Sequence, residues 1–472
     1  MPFIDRRVEL GVLEREWGAP GLRVVVVYGR RRVGKTRLLA EWLRGRRGAY
    51  YEAVELGYRQ IVEELRAALS AQLGVPLLGG DVVELLEEAA EKTRGRAAVV
   101  LDEFQYIAEA DPSLPSRLTR SIDTRLAGSD LVLVLSGSAA SWFERSLLSA
   151  KAPLHGRATA RLRLRPMRLL EAHGFWPRMG PVEALHSYSI LGGTPAYLAP
   201  TYGACSAREV LERAVAPGSP LLEEAPSLLR QELREPRSYA ALLRAVAEGH
   251  TRPGEAAQAA GLDPRGVHRY VEVLEELDIL ARRRPLGARR GARLEIVDEY
   301  FRFYFSLLEP VRSLVEAGAE EEARRHILRR LPEHASKTFE HVLEQSIPEL
   351  AGSGLLPFTP TTWGPWWHRG EEIDLVALAP RAAAAFIEAK WGRVTLAEAK
   401  RLLARLEAKA AKTGLQQPTN YYIVAAREVP DAEKPAERLD EARIVIDYRR
   451  AWPLLRATLA RREEGRPPAG GE

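Results

Sequence analysis

Cysteine is nearly missing from this sequence, with Cys205 alone among 472 residues. A single cysteine excludes an internal disulfide framework and a cysteine-based zinc site. No stretch approaches the ~18 uninterrupted apolar residues of a membrane span, so no membrane partner is expected. The opening residues, Met-Pro-Phe-Ile-Asp-Arg-Arg, lack the apolar run of a secretory signal, and the expected location is the cytoplasm. Asparagine is almost absent and methionine is scarce. That bias suits a hot-living organism, and a GC-rich genome yields the same excess of arginine and alanine.

What is present describes a folded chain. Hydrophobic residues make up 46% and charged residues 28%, which excludes a disordered polymer. The length implies about two to four domains. The net charge is only +5, so local clusters say more than the total. Arginine runs stand at Arg30, Arg31 and Arg32, at Arg282, Arg283 and Arg284, and at Arg289 and Arg290.

Residues 23–28 (RVVVVY) form an apolar β-branched run, and residues 36–44 follow with helical spacing. Further short apolar runs at 49–54, 97–101 and 131–135 alternate with helical segments. Such alternation predicts a parallel sheet covered on both faces, hence an α/β three-layer domain over residues 1–166. Residues 167–232 read as helical, broken by Gly192-Gly-Thr-Pro195. Residues 233–293 hold three helical periods and a basic run. Residues 294–461 read as a second mixed region, with helix signals near 336–350 and 395–411 and strands near 371–378, 384–389 and 420–425. Residues 462–472 are charged and rich in glycine and proline, as a frayed tail would be.

Gly29-Arg30-Arg31-Arg32-Val33-Gly34-Lys35-Thr36, followed by Arg37, fits G-x-x-x-x-G-K-[ST] between a strand and a helix. In that setting backbone amides and a helix N-terminus cradle the phosphates of a nucleotide. Lys35 is placed to reach the β- and γ-phosphates of ATP, and the Thr36 hydroxyl to ligate Mg²⁺. The apolar run at 97–101 ends in Asp102 and Glu103. Asp102 is the expected second Mg²⁺ contact, and Glu103 the group that orients and deprotonates the attacking water. A third run ends in Ser136-Gly-Ser138, at the strand ends where ligands sit in parallel sheets. Ser138 is either a contact to the γ-phosphate or water, or part of a plain turn. Arg157 is a candidate to meet the γ-phosphate, in cis or from a neighbouring subunit, against the reading of a surface arginine.

At these residues the chain resembles an archaeal ATPase family near the AAA-plus and STAND-type NTPases. The resemblance rests on Phe3-Ile-Asp-Arg-Arg, Tyr28-Gly-Arg-Arg-Arg-Val-Gly-Lys-Thr36, Leu101-Asp-Glu-Phe-Gln105, Ser136-Gly-Ser-Ala, Pro153-Leu-His-Gly-Arg157 and Gly192-Gly-Thr-Pro-Ala-Tyr-Leu198. It covers residues 1–230 and implies a sensor role for Ser138, a helical lid after the core and a role for Arg157 at the phosphates.

Residues 238–248, 252–260 and 265–277 have the short-helix, turn, longer-helix spacing of a winged helix. Arg265, His268 and Arg269 are expected on the exposed side of the third helix, with Leu274, Leu277 and Leu280 facing the core. Arg282, Arg283, Arg284, Arg289 and Arg290 would then lie in a wing that touches the phosphates of double-stranded DNA. A protein-docking module or a helical linker is the alternative.

Farther on, Asp374 enters one strand and Glu388-Ala-Lys390 closes the next. Residues two apart on a strand share a face, so Glu388 and Lys390 would project together opposite Asp374. Asp374 and Glu388 are candidate Mg²⁺ ligands, Lys390 a stabiliser of developing charge, and Glu340 an upstream ligand or orienting acid. The pattern resembles the PD-(D/E)xK nucleases, with Ile373 where that motif usually carries proline. Residues 294–304 with this C-terminal part also resemble the domain often fused to archaeal ATPases. An inactive nuclease-like scaffold is the alternative. Trp363, Trp366 and Trp367 are read as core or interface rather than as a stacking platform.

The expected whole is α/β, with a P-loop three-layer parallel sheet of AAA-plus type, a helical lid, a winged helix and an α/β restriction-nuclease-like C-terminal domain. Its expected activity is ATP hydrolysis with Mg²⁺, coupled to DNA and to Mg²⁺-dependent cleavage. The other reading is a STAND-type switch that changes between ATP and ADP forms and assembles as a homo-oligomer.

Overall fold

A computed structural model describes residues 2–150 and 152–464. The chain divides into two compact units, one of residues 2–166 with 194–196, the other of residues 167–193 with the chain from 197 onward.

The first unit is built on a parallel sheet of β1 (Arg23–Tyr28), β2 (Gly48–Glu52), β3 (Ala97–Asp102), β4 (Leu131–Gly137) and β5 (Ala160–Arg163), in the order β2-β3-β4-β1-β5. The helices are α1 (Arg7–Gly18), α2 (Lys35–Leu43), α3 (Tyr58–Leu73), α4 (Val82–Lys92), α5 (Phe104–Ala110) and α6 (Leu114–Asp123). Strand alternation sorts the side chains into two cores. Val24, Val26, Val99, Leu101, Leu133 and Leu135 pack on one face against α3 to α6. Val25, Val27, Ala98, Val100, Val132 and Val134 pack on the other against Leu13 of α1 and Leu38, Leu39 and Trp42 of α2. Because both faces are covered, the strands read as unbroken apolar runs in the sequence. The fold class expected from the sequence, a parallel P-loop-type sheet followed by a further mixed sheet, is the one observed.

The second unit opens with a short helix, Leu169–Ala172, followed by helices Pro181–Leu191, Ala207–Ala214 and Pro220–Glu232. Helices Pro236–Ala247, Pro253–Ala259 and Val267–Glu276 follow, then the antiparallel pair β6 (Leu280–Arg283) and β7 (Arg293–Ile296). A mixed sheet completes the unit, with β8 (Thr362–His368), β9 (Glu371–Ala379), β10 (Ala383–Arg393), β11 (Thr419–Glu428), β12 (Ala436–Arg438) and β13 (Arg443–Asp447) in the order β12-β13-β11-β10-β9-β8. Helix Leu396–Ala410 crosses from β10 to the parallel β11 and buries Ala399, Leu403 and Leu406 against Val376, Phe386 and Val424. β8, β12 and β13 were not expected from the sequence. The end of the chain is helical over Tyr448–Glu463, so residues 462 and 463 belong to a helix, and residues 465–472 of the expected tail lie outside the described residues.

The segment 294–304 anchors a buried polar network to helix Glu320–Gln345. Glu299 takes hydrogen bonds from Thr338 (2.9 Å) and Arg302 (3.1 Å) and meets His341 Nδ1 at 2.7 Å. His341 Nε2 lies 2.9 Å from Glu295. Facing two carboxylates, the His341 imidazole is raised to about 9 despite the opposing cost of burial. Glu299 is lowered to about 2 by Arg302 and His341, against the pull of burial.

Among the described residues no helix is long and apolar enough to cross a membrane.

Candidate functional site

β1 delivers the chain into the loop 29–34, and α2 leaves it at Lys35 with Gly34 as N-cap. Gly29 has φ 154°, and a Cβ there would stand 2.3 Å from the Leu164 carbonyl oxygen, so only glycine fits. Lys35 is 5% exposed, and its ammonium donates to the carbonyls of Gly29 (2.8 Å) and Arg30 (3.2 Å). The loop thus wraps a buried positive charge at a helix N-terminus, an arrangement that suits a polyphosphate.

The neighbouring side chains spread outward from this loop. Arg30 is buried and bonds to Thr194 at 2.6 Å. Arg31 donates to the Tyr106 hydroxyl at 2.9 Å. Arg32 is exposed with φ 70°, Val33 is fully buried, and Arg37 donates to the Pro2 carbonyl at 3.1 Å.

At the end of β3, Asp102 is 1% exposed and sits in a cage of donors. Thr36 Oγ1 donates to it at 2.9 Å, the Glu103 amide at 3.0 Å, and the Tyr50 hydroxyl forms a further hydrogen bond. Burial and the adjacent Asp102 charge push the Tyr50 phenol well above its usual value, which keeps it a donor. A hydroxyl and a carboxylate side by side are hard oxygen ligands of the kind Mg²⁺ takes, so Thr36 and Asp102 fit that ion.

β4 lies between β1 and β3, so its end meets both. Ser138 donates to Glu103 twice, through its amide (3.0 Å) and its hydroxyl (2.8 Å), and Gln105 adds a third hydrogen bond. Glu103 itself has φ 51°, a backbone conformation costly for a non-glycine residue. Ser138, expected from the sequence as a contact to the γ-phosphate or water or as part of a plain turn, thus meets the Glu103 carboxylate. In this structure the hydroxyl holds the glutamate.

Arg157 lies elsewhere. Thr159 pairs with Val24 at the start of β1, and β5 enters the sheet beside Val25, so Arg157 stands at the opposite end of the strands from the loop 29–34. There it makes a forked ion pair with Asp123, with bonds of 2.7 to 3.0 Å. The cis contact to a γ-phosphate expected from the sequence is thus corrected, because strand direction separates the two ends of the sheet.

Two participants escaped the sequence reading. Tyr50 lies 52 positions from Asp102, and Thr194 lies 164 from Arg30. No local pattern ties either to its partner, although Gly192-Gly-Thr-Pro195 marks a sharp break in the helices.

In the second unit, β9 and β10 pair in antiparallel register up to Leu375 and Ile387, which brings Asp374 and Glu388 level one step beyond. Asp374 accepts from the Ala389 amide at 2.8 Å. Burial first, then the charges of Glu388 and Glu340, raise its carboxyl to about 7. Lys390 donates to Glu388 at 2.7 Å, and Lys409, which the sequence did not suggest, approaches it at 3.3 Å. Glu340 is bound by Lys337 at 2.7 Å. Among the described residues no three His, Cys, Asp or Glu side chains are grouped to hold a metal ion. The expected trio of Glu340, Asp374 and Glu388 is corrected accordingly, since lysines satisfy two of its carboxylates.

Arg265, in the turn just before helix Val267–Glu276, and His268 and Arg269, in its first turn, are exposed, and Leu274 and Leu280 are buried while Leu277 is half-buried. Arg282 and Arg283 are not free wing residues. Arg282 is held by Glu275 (2.9 Å) and Arg283 by Glu295 (3.2 Å) and Glu344. Arg284, Arg289 and Arg290 are exposed. The loop that carries them lies back on β8, with Leu286 donating to Pro365 at 2.8 Å. Trp366 is buried and Trp363 and Trp367 half-buried, so the tryptophans form part of β8 rather than a loop.

The fold and the loop geometry define a P-loop ATPase domain. Residues 3–200 match the family model described as an ATPase domain predominantly from Archaea, and residues 304–402 match one described as archaeal and bacterial proteins of unknown function. The chain thus belongs with the archaeal ATPases its motifs resemble. It is 28% identical over 437 residues to an uncharacterized protein of Methanocaldococcus jannaschii, a match covering 91% of this chain and 97% of that one. It is 42% identical over 45 residues to an uncharacterized ATP-binding protein of the same organism, spanning 10% of this chain and 76% of that one. Among solved structures it is similar to the Walker-type ATPase of Pyrococcus abyssi, with a TM-score of 0.48 and 18% identity over 64% of this chain and 96% of that one.

Proposed function

We propose that the chain hydrolyses ATP with Mg²⁺ at the loop 29–36 and uses the nucleotide state to control a DNA-engaging C-terminal unit. The observation that carries the hydrolytic part is Glu103, held by Ser138 and Gln105 one residue beyond the Thr36–Asp102 pair. Lys35 neutralises the β- and γ-phosphates, and Thr36 and Asp102 would hold a Mg²⁺ ion, which would supply further charge neutralisation. Glu103 orients the water and takes its proton. Arg157, remote from the phosphates of its own subunit, would serve only a neighbouring copy. ATP turnover by the full chain tests this. Lys35→Ala is expected to lose nucleotide binding, and Glu103→Gln to keep binding while losing turnover. Full turnover in Glu103→Gln refutes the mechanism.

For the second unit, three helices followed by the β6–β7 pair support a winged-helix reading, with Arg265, His268 and Arg269 as the face for double-stranded DNA. Asp374, Glu388 and Lys390 support a nuclease-like site. Asp374 and Glu388 offer two oxygen ligands to a divalent cation, and Lys390 a positive charge beside them. The lysines on Glu388 favour the second reading, a nuclease-like scaffold that docks rather than cuts. Mg²⁺-dependent cleavage of linear and supercoiled DNA by wild type and Asp374→Ala separates the two. Cleavage lost in the variant supports a nuclease, and none in either supports the scaffold.

A further inference from the structure

The loop between β6 and β7 folds onto β8 and closes one wall of a groove of about 790 Å³. The other walls are the turn between β8 and β9 and the end of helix Leu396–Ala410. Five cations line it, Arg252, Arg290, Arg293, Arg369 and Lys412, and no aspartate or glutamate does. Arg290 and Arg369 pair with no carboxylate among the described residues. Arg252, Arg293 and Lys412 make exposed ion pairs with Glu255 (3.0 Å), Glu372 (3.0 Å) and Glu371 (2.6 Å). Exposed pairs of this kind contribute little, so an incoming phosphate can displace them.

An aromatic ring sits in the same groove. Trp367 is fixed by its indole N–H to the Gly291 carbonyl (3.2 Å), and the Arg293 guanidinium lies 4.5 Å from its ring centre. A basic groove with a ring and a guanidinium plane offers contacts to phosphates and to base faces together. A duplex keeps its base faces stacked inside, so only an unpaired strand uses both kinds of contact.

We infer that this groove binds a single-stranded nucleic acid, its phosphates on the five cations and a base on Trp367 and Arg293. The inference rests on the reading of the C-terminal unit as nucleic-acid-binding and moves the contact from the face of helix Val267–Glu276 to the groove. It also aims the strand. Lys409, three positions before Lys412, contacts Glu388 and the Glu372 carbonyl (3.0 Å), so the groove leads toward Asp374 and Glu388.

The test measures fluorescence polarisation of labelled oligo-dT, oligo-U and a mixed duplex, each about twelve units long, with the full chain across a salt series. Both single strands are expected to bind more tightly than the duplex. If all five cations meet phosphates, the slope of log affinity against log salt is about −3.5, at ~−0.7 per contact. Arg290→Ala with Arg369→Ala, both exposed, should flatten it to about −2. Trp367→Ala should weaken binding by about tenfold to a hundredfold and Trp367→Phe by much less. Arg265→Ala with Arg269→Ala should leave single-strand affinity unchanged. Preferred duplex binding that depends on Arg265 and Arg269 and ignores Arg290 and Arg369 overturns the inference and leaves the DNA reading standing. Absence of binding to all three probes overturns both.

Discussion

Replacing Ser138 by alanine separates holding the glutamate from holding the nucleotide. The Glu103 carboxylate has three donors, and Ser138→Ala removes only the 2.8 Å hydroxyl bond, leaving the amide at 3.0 Å and Gln105. A hydrogen bond to a charged group contributes about 1.5–3 kcal/mol. Glu103 is half-buried, which favours the lower figure. If the loss falls on the orientation of Glu103 in the transition state, about 1.5 kcal/mol lowers kcat about tenfold. Neither hydrogen bond that Ser138 donates runs to the loop 29–36, so the Kd for ATP should stay within about twofold. Phosphate release under saturating ATP gives kcat, and calorimetry gives Kd. In a Glu103→Gln background, Ser138→Ala should add little, because its effect passes through the carboxylate. Fully additive losses, or an affinity loss as large as the rate loss, would refute the reasoning.

Tyr50→Phe takes one donor from Asp102 and should raise the Mg²⁺ concentration needed for half-maximal ATP turnover by about threefold to tenfold; an unchanged Mg²⁺ titration contradicts the role given to Tyr50. Gly193→Ala would place a Cβ 1.7 Å from the Met167 carbonyl oxygen, which also accepts from Tyr188 at 2.9 Å. Overpacking of that sort costs about 1–3 kcal/mol and should lower the melting temperature by several degrees in a thermal scan. His341 is raised from 6.5 to about 9 in the folded chain. Its contribution of about 3 kcal/mol is complete below pH ~6.5 and is lost as pH climbs through ~9. Glu299, lowered to about 2, stays ionised across that window. Urea midpoints at about pH 6 and pH 10 should therefore diverge in wild type and converge in His341→Gln.

The parallel strands were legible because burial on both faces leaves an unbroken apolar run, as at residues 97–101 and 131–135. The phosphate loop was legible because its chemistry is local, a loop and one helix turn. β8 was not, since Thr-Trp-Gly-Pro-Trp-Trp-His mixes a ladder-breaking proline with aromatics on an edge strand. β12 is three residues long, too short to show a period. Tyr50, Thr194 and Lys409 reach their partners across the fold, and no spacing rule links such pairs. Arg157 was misplaced for a related reason. The motif gives its distance along the chain, whereas the direction of β5 decides which end of the sheet it occupies.

The Arg30–Thr194 contact bears on where the ATPase portion may be cut. A fragment ending at Pro166 would keep all five strands and both valine layers, yet it would strip a hydroxyl from a guanidinium that has almost no access to water. That tie would be lost one residue from the glycine that starts the phosphate loop. A fragment carried on to residue 200 retains that hydroxyl, so the sheet's own last strand is too early a stopping point for a self-sufficient nucleotide binder.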